Sequence, residues 1–552
     1  MRTSNFSDGL KVNVITGTYV VLFGINLPKE LCDGLLGFSI HRVDHNENES
    51  YYLKGTKAFK ETDPGFPPGS QYSTKDHPIQ SFQWADYTAK PGYDYTYTIS
   101  ALKGKPGELI PIAVTEVKVT TECPETGDHD VYFNRGASAS QEYAKRFGDR
   151  APDEVPNNKA FEWLSRGLYE ALENFIASCQ PGKHSLRIAA YELNYEKFLE
   201  LIKKTADTGV DIKIIYDARQ EVPGNINIEL AGKYEIDNLC KQRTEGKSYI
   251  SHNKFIVKLE NGVAKSVWTG STNFSDGGIF GHSNVAHVVE DTAVAQCYLD
   301  YWNELFSNPT NSVLKKKVEQ LTAIPEIPLS EGTVALFSPR KKLEALDFYA
   351  QLAMNASEGL FMTFAFGMNE IFRNVYDKSS APLRFALMEK MTRPMKEGPE
   401  RDKEEEYIQL LRNKTENVFA IGDFIRTNKF DGWVKERLTG LNTNVKYVHD
   451  KFMIIDPLSD FPVVVTGSAN FSKASTTDND ENMLIICGNK RVANIYLGEF
   501  MRLFSHFSFR ESLAWRKSEE PPKPLRTDEW WSDSFGDTSR SSRRKFFARV
   551  SE

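Results

Sequence analysis

The sequence predicts an α/β protein in which one α/β unit occurs twice around a single composite site, preceded by an all-β sandwich. Three observations predict it. Residues 1–125 carry short alternating runs separated by turn residues; from about residue 156 the pattern becomes helix, strand, helix, strand with apolar strand runs; and this second pattern restarts near Gly332. Alternation with period two marks half-buried strands, whereas helices interleaved with continuously apolar strands mark a sheet containing parallel pairs.

The composition agrees with a large globular chain. Of 552 residues 40% are hydrophobic and 26% charged, which excludes wholesale disorder and allows several domains. Lys plus Arg number 68 against 75 Asp plus Glu, a net charge of −7, so any nucleic-acid contact has to come from a local basic groove. No run of 18 apolar residues occurs, and the start MRTSNFSDGL lacks a basic region followed by an apolar core, so the expectation is a cytoplasmic protein. Cys32, Cys123, Cys179, Cys240, Cys297 and Cys487 are scattered and form no C-x-x-C, which predicts reduced thiols and neither a disulfide framework nor a zinc knuckle.

In chain order, the first element is the sandwich over 1–125. Tyr95, Tyr97 and Ile99 alternate with Thr96, Thr98 and Ser100, and turns fall at Lys90-Pro91-Gly92 and Gly104-Lys105-Pro106-Gly107. In pattern the stretch resembles a fibronectin type III or immunoglobulin-like module. Residues 126–155, rich in Gly, Ser, Ala and charge, predict a linker. The first α/β half is expected over 156–315, with a helix KAFEWLSRGLYEALENFIASC, a strand LRIAAYEL, a helix YEKFLELIKKTADTG stopped by Gly209, and strands VDIKIIYDAR, FIVKLE and SVWTG. The second half, 330–512, repeats this order with TVALFSP, KLEALDFYAQLAMNAS, GLFMTFAF, NEIFRNVYDK, NVFAIG and NVKYVHDKFMIIDP. Its insertion EKMTRPMKEGPERDKEEEYIQLLRNK predicts a solvated loop and helix. A tail over 516–552 holds Trp530-Trp531 and five cations without an anion in TSRSSRRKFFARV. With Phe546 and Phe547, residues 540–549 are a candidate peripheral grip on a nucleic-acid backbone or an anionic membrane.

The repeat is literal where chemistry needs it. HNKFIVKLENGVAKSVWTGSTNFS (252–275) and HDKFMIIDPLSDFPVVVTGSANFS (449–472) agree without gaps at ten of 24 positions, and of the ten histidines only His252 and His449 are followed two positions later by Lys. In a strand, residues i and i+2 share a face, so His252 with Lys254 and His449 with Lys451 can enter one cleft. There, one neutral imidazole can attack phosphorus while a second, protonated, gives its proton to the departing alkoxide. Lys254 and Lys451 supply positive charge to the non-bridging oxygens, and Asn273 and Asn470 can donate to them. With two lysines present no metal or cofactor is called for.

These motifs resemble those of the phospholipase D superfamily, H-x-K-x4-D twice, each with a downstream G-S-x-N. The second copy matches throughout: His449, Lys451 and Asp456, then Gly467, Ser468 and Asn470, and the resemblance places Asp456 among the candidate catalytic residues; the first has Leu259 in place of the acid. The resemblance implies a duplicated α/β sandwich whose halves meet at a pseudo-twofold interface, so that the site is complete within one chain. It implies a phosphohistidine on His252, with His449 as general acid, and an enzyme acting on phosphodiesters. It also implies a carboxylate after G-S-x-N that bonds a catalytic histidine. Glu481 fits that place in the second copy, and Ser283 or Asn284 stands there in the first. Ser271 and Ser468 are candidate substrate contacts; His282 and His287 are expected to be a loop and a strand residue. A nuclease is the favoured reading, a phospholipase D the alternative, and an inactive phosphate-binding module the third.

Overall fold

The computed structural model describes all residues except 67–69, 137–139, 149, 246–248, 394–395, 423–447, 515–522 and 551–552. The expected strand residues 444–447 and the start of the tail therefore lie outside the described residues. The N-terminal sandwich consists of two four-stranded antiparallel sheets. One runs Arg2–Ser7, Leu10–Thr16, Val21–Asn26, Gln83–Asp86; the other runs Glu108–Thr120, Asp94–Lys105, Gly37–Asp44, Glu49–Tyr52. Tyr95, Tyr97 and Ile99 point into the shared core with Val12, Val14, Phe23 and Phe38, as their alternation requires.

Both α/β halves are built on one sheet topology. The first contributes β1 (His129–Phe133), β2 (His184–Ala190), β3 (Asp211–Asp217), β4 (Cys240–Arg243), β5 (Lys254–Glu260), β6 (Val263–Gly270) and β7 (Val285–Val289). The second contributes β8 (Gly332–Ser338), β9 (Leu360–Phe364), β10 (Arg384–Met388), β11 (Asn417–Ile421), β12 (Phe452–Ile455), β13 (Val463–Gly467) and β14 (Glu481–Cys487). The sheet orders are β1-β7-β6-β5-β2-β3-β4 and β8-β14-β13-β12-β9-β10-β11, so each strand of the second half is the counterpart of the one seven earlier. In each sheet three strands run parallel (β2-β3-β4, β9-β10-β11) and the rest pair antiparallel.

The linker expected over 126–155 begins inside this sheet. Val131 and Phe133 of β1 are buried, and β1 pairs antiparallel with β7 while Glu125–Thr126 adds a short outer strand. Five residues are too few for a period-two signal amid polar neighbours, which is why the sequence reads there as loop.

The halves are joined by one core. The inner faces of both sheets pack around α1 (Thr292–Phe306) and α2 (Lys490–Ala514), with Tyr298, Tyr301 and Trp302 of α1 and Tyr496, Phe500 and Phe504 of α2 buried. The outer faces carry their own cores against flanking helices. Strands covered on both sides read as unbroken apolar runs, and VVVTG and MLII show this. The charged insertion forms a helix, Pro399–Arg412, and one of its acids is not solvated: Glu404 is buried against Arg393 at 2.8 Å.

The tail is a strap. Trp530 and Trp531 enter the sandwich core, and α3 (Ser539–Ala548) lies across Gly24, where any Cβ would meet the backbone of Phe547 and Ala548. Phe546 packs on Phe361 of the second half, Phe547 is fully buried, and Arg549 pairs with Glu358. The two phenylalanines expected to grip a ligand are therefore consumed by packing, because α3 has an apolar face that the sandwich and β9 cover. Among the described residues, no helix is long and apolar enough to cross a membrane.

Candidate active site

His252 and His449 sit just before β5 and β12, on segments that stitch the halves together. Ser251 bridges to Asp480, and Val448 to Ser283, so the residue before each histidine pairs with the residue before the group that orients it. The N–H of His252 donates to the Asp480 carbonyl at 2.9 Å. This reciprocal stitching puts both imidazoles at the pseudo-twofold axis.

Each imidazole is oriented by the other half. Nδ1–H of His252 donates to Glu481 Oε2 at 2.8 Å, and Nδ1–H of His449 donates to Asn284 Oδ1 at 2.8 Å. Asn284 Nδ2 donates to the Gly278 carbonyl at 2.7 Å, which fixes the amide so that its oxygen faces the ring. Between Ser283 and Asn284, left open by the sequence, it is Asn284 that bonds the histidine. With Nδ1 occupied, Nε2 carries the lone pair in both rings, and among the described residues neither Nε2 has a hydrogen-bond partner. The two rings differ in one respect: a carboxylate backs His252 and a neutral amide backs His449.

Ser271 and Ser468 do not face substrate. Ser468 Oγ donates to Glu481 Oε2 at 2.7 Å and accepts from the N–H of Asn482 at 3.0 Å; Ser271 Oγ donates to Asn284 Oδ1 at 2.8 Å and accepts from the N–H of Val285 at 3.1 Å. Both hydroxyls are fully buried and hold the orienting groups in place. The expectation that they contact substrate is corrected: the strand pairing turns them inward.

Asp456 is also corrected. It follows β12 in a left-handed conformation (φ 47°), and its carboxylate accepts from the N–H groups of Ser357, Glu358 and Gly359 at 3.0, 2.7 and 2.9 Å. Seven residues beyond His449, it lies about 23 Å away at strand rise, clamping the entry to β9. Leu259, its counterpart, is a core residue followed by the Asn261-Gly262 turn, which needs no such clamp.

Lys254 and Lys451 lie close to both histidines, and Asn470 lines the same recess as Lys451. Both lysines are 1% exposed. Nζ of Lys254 donates to the His252 carbonyl and lies 5.0 Å from the Tyr191 ring, which also packs on His252 at 4.9 Å. Lys451 Nζ and the Oδ1 atoms of Asn273 and Asn470 are buried with no protein partner among the described residues. Burial, with mutual repulsion added to it, makes these groups shed charge although carboxylates lie near them. Burial first, and Lys254 and Lys451 next, hold His252 down at about 4 although Glu481 acts to raise it. Burial takes Lys254 to about 7; burial and Lys254 take Lys451 well below the usual lysine range. Burial, Lys451 and His282 likewise hold His449 well below the ordinary imidazole value. An anion entering this cleft favours the protonated forms of Lys254, Lys451 and His449.

Sequence reasoning missed four groups. Asp217 at the end of β3 accepts from the N–H of Ser251 at 3.1 Å, and Glu389, its counterpart after β10, accepts from the N–H of Val448 at 3.0 Å. Each carboxylate fixes the residue before one of the paired histidines, but one is Asp and one Glu, so the repeat shows no identity. Tyr191 and His282 were missed as site residues: the first follows β2, and the second, in a loop as expected, stacks 5.1 Å from His449. His287 lies in β7, bonded to His129 and Tyr496 away from the cleft. Among the described residues no group of three or more His, Cys, Asp or Glu is disposed to hold a metal ion.

Paired imidazoles, lysines and amides thus lie at the axis of a duplicated α/β fold. The chain belongs to the phospholipase D-like family: the family described as "Cardiolipin synthase, PLD-like domain" matches residues 172–306 and 353–504, one segment in each half. Solved structures similar to it include a polyphosphate kinase from Porphyromonas gingivalis (9% identity, TM-score 0.38, 66% of this chain and 52% of that one). Others are a phosphatidylserine synthase from Haemophilus influenzae Rd KW20 (9%, 0.43, 62% and 85%) and the phospholipase D family member Nuc from Salmonella typhimurium (18%, 0.22, 32% and 95%). The chain spans about half the length of the polyphosphate kinase. No curated protein matches it by sequence.

Proposed function

We propose that the protein hydrolyses phosphodiester bonds of nucleic acid through a phosphohistidine on His252, without a metal. The observation that supports it most is the crossed orientation of the two imidazoles, His252 on Glu481 and His449 on Asn284, which presents two free Nε2 atoms to one cationic cleft. The lone pair of His252 Nε2 attacks phosphorus while the bond to the leaving oxygen breaks and His449, protonated once the phosphate is bound, gives that oxygen its proton. The Glu481 carboxylate stabilises the positive charge that the His252 ring gains. Water then attacks the phosphohistidine, its proton passes to His449, and the N–P bond breaks. Lys254, Lys451, Asn273 and Asn470 hold the non-bridging oxygens, and Asp217, Glu389, Ser271 and Ser468 keep the frame in position.

For nucleic acid the supporting feature is an aromatic-walled recess beside Lys451 and Asn470. Phospholipid head-group hydrolysis is a second reading. It is favoured by Val222 and Ile226, 71% and 37% exposed, around the start of a helix that Asn227 anchors to Tyr191 and Asp217 beside the cleft. The test is a panel of single- and double-stranded DNA, RNA and phosphatidylcholine vesicles, in EDTA, with wild-type protein and His449→Ala. Nucleic-acid cleavage that disappears in the variant is the expected result. Choline release with intact nucleic acid overturns the substrate, and activity that EDTA abolishes and a divalent ion restores overturns the metal-free route.

A further inference from the structure

The duplicated halves do not wall the cleft alike. Ala190 pairs with Lys254 in the first sheet; in the second, Met362 pairs with Met453, which sets Phe364 opposite Lys451. Tyr191 and Glu192 thus correspond to Ala365 and Phe366. In the first half the Tyr191 ring fills the space beside His252 and Lys254, and Glu192 accepts from Ser275 Oγ. In the second half a methyl group stands in place of the phenol, and a recess of ≈ 50 Å³ opens beside Lys451 and Asn470. Phe366, 37% exposed, and Phe471 wall it, with Arg393 at its edge. Gly367 (φ 79°) lets the 392–393 backbone come close, a Cβ there lying 2.6 Å from the Arg393 nitrogen, and Glu404 holds the guanidinium at 2.8 Å.

We propose that this recess is the subsite for the leaving nucleoside, whose base stacks on Phe366 with Arg393 at its edge. The inference rests on the nuclease reading and on His449 as the acid. His449, Lys451 and Asn470 belong to the same half, so the oxygen that His449 protonates departs on this side, while the Tyr191 side is closed by the attacking imidazole and its packing. An exposed aromatic ring next to a phosphate-binding lysine offers a face to any base, which suits cleavage with little sequence preference. A guanidinium already paired with a buried carboxylate adds a flat surface with little net charge, so the recess favours a planar group over a second phosphate.

The test uses dithymidine phosphate and its two analogues with an abasic tetrahydrofuran on either side, product analysis showing which nucleoside leaves. Removing the leaving base should lower kcat/KM about tenfold in the wild-type protein, stacking being of that order. Phe366→Ala should lose the same factor on the intact dinucleotide and become indifferent to that base, whereas Phe366→Trp should retain the preference. A Phe366→Ala protein that keeps the wild-type preference, or slows every dinucleotide equally, overturns the proposal. Methyl 4-nitrophenyl phosphate, whose single ring is the leaving group, separates the two levels. If it is cleaved and dinucleotides are not, the nucleic-acid reading and the base both fall. An effect of Phe366→Ala on the aryl ester then leaves the leaving-group subsite standing, and an unchanged rate removes it too.

Discussion

Replacing Glu481 by Gln leaves a side chain of the same shape that still accepts from His252 Nδ1–H and from Ser468, and removes only the charge. In the reaction the His252 ring gains a positive charge about 4 Å from the carboxylate. At an effective dielectric of about 20 that attraction is worth about 4 kcal/mol. The amide dipole retains part of it, so the loss is about 2 kcal/mol, or roughly 30-fold in the first chemical step. Methyl 4-nitrophenyl phosphate isolates this step, because 4-nitrophenolate departs without a proton. The assay is single-turnover release of nitrophenolate, with wild-type, Glu481→Gln and His449→Ala proteins in parallel. Glu481→Gln should slow the burst roughly 30-fold, and His449→Ala should leave it nearly intact while abolishing cleavage of dinucleotides, whose alkoxide must be protonated. A burst that survives Glu481→Gln and vanishes in His449→Ala would refute the assignment and make His449 the nucleophile.

Three further outcomes follow from the same structure. With methyl 4-nitrophenyl phosphate, whose leaving group needs no acid, the pH profile of kcat/KM should be a bell: below about 4 His252 is protonated and cannot attack, and above about 7 Lys254 loses its charge, so activity falls on both sides. Lys254→Arg should move the alkaline limb upward, and an unmoved limb assigns it to another group. Asp456→Ala frees three N–H groups at the entry to β9, so thermal unfolding should shift down by an amount equivalent to about 1–3 kcal/mol with kcat unchanged; a large loss of kcat would return Asp456 to the site. Phe547→Ala should cost about 3–5 kcal/mol, the usual penalty for emptying a fully buried phenylalanine site, measured by urea denaturation, with activity of the folded fraction preserved. A variant as stable as wild type would show that the strap does not hold the sandwich in place.

The site was legible where chemistry forces the same residue twice. His252 and Lys254 reappear as His449 and Lys451, and Asn273 as Asn470, at fixed spacing. Glu481 could be placed by its distance from Ser468, and Asn284 stands at the same thirteen-residue step from Ser271 once the strands are aligned. Asp217 and Glu389 were not legible, because their work needs only a carboxylate oxygen at a strand end, and a longer side chain on a slightly different backbone serves equally. Ser271 and Ser468 were misread because motif spacing does not tell which face of a strand end is buried. β1 was lost because pairing with β7, not its own five residues, makes it a strand. In the tail, an Arg-rich run with two phenylalanines is the composition both of a ligand grip and of an amphipathic helix on a core, and the phenylalanines take the second role, packing against Gly24 and Phe361.

The claim that everything else depends on is a covalent bond between phosphorus and His252. In His449→Ala, methyl 4-nitrophenyl phosphate should complete the first step and stall at the second, because no group remains to take the proton from water. Mass spectrometry of the quenched protein should then find one methylphosphoryl group on His252 for each equivalent of nitrophenolate released. An adduct on another residue, or a full burst with no covalent adduct, would contradict the account.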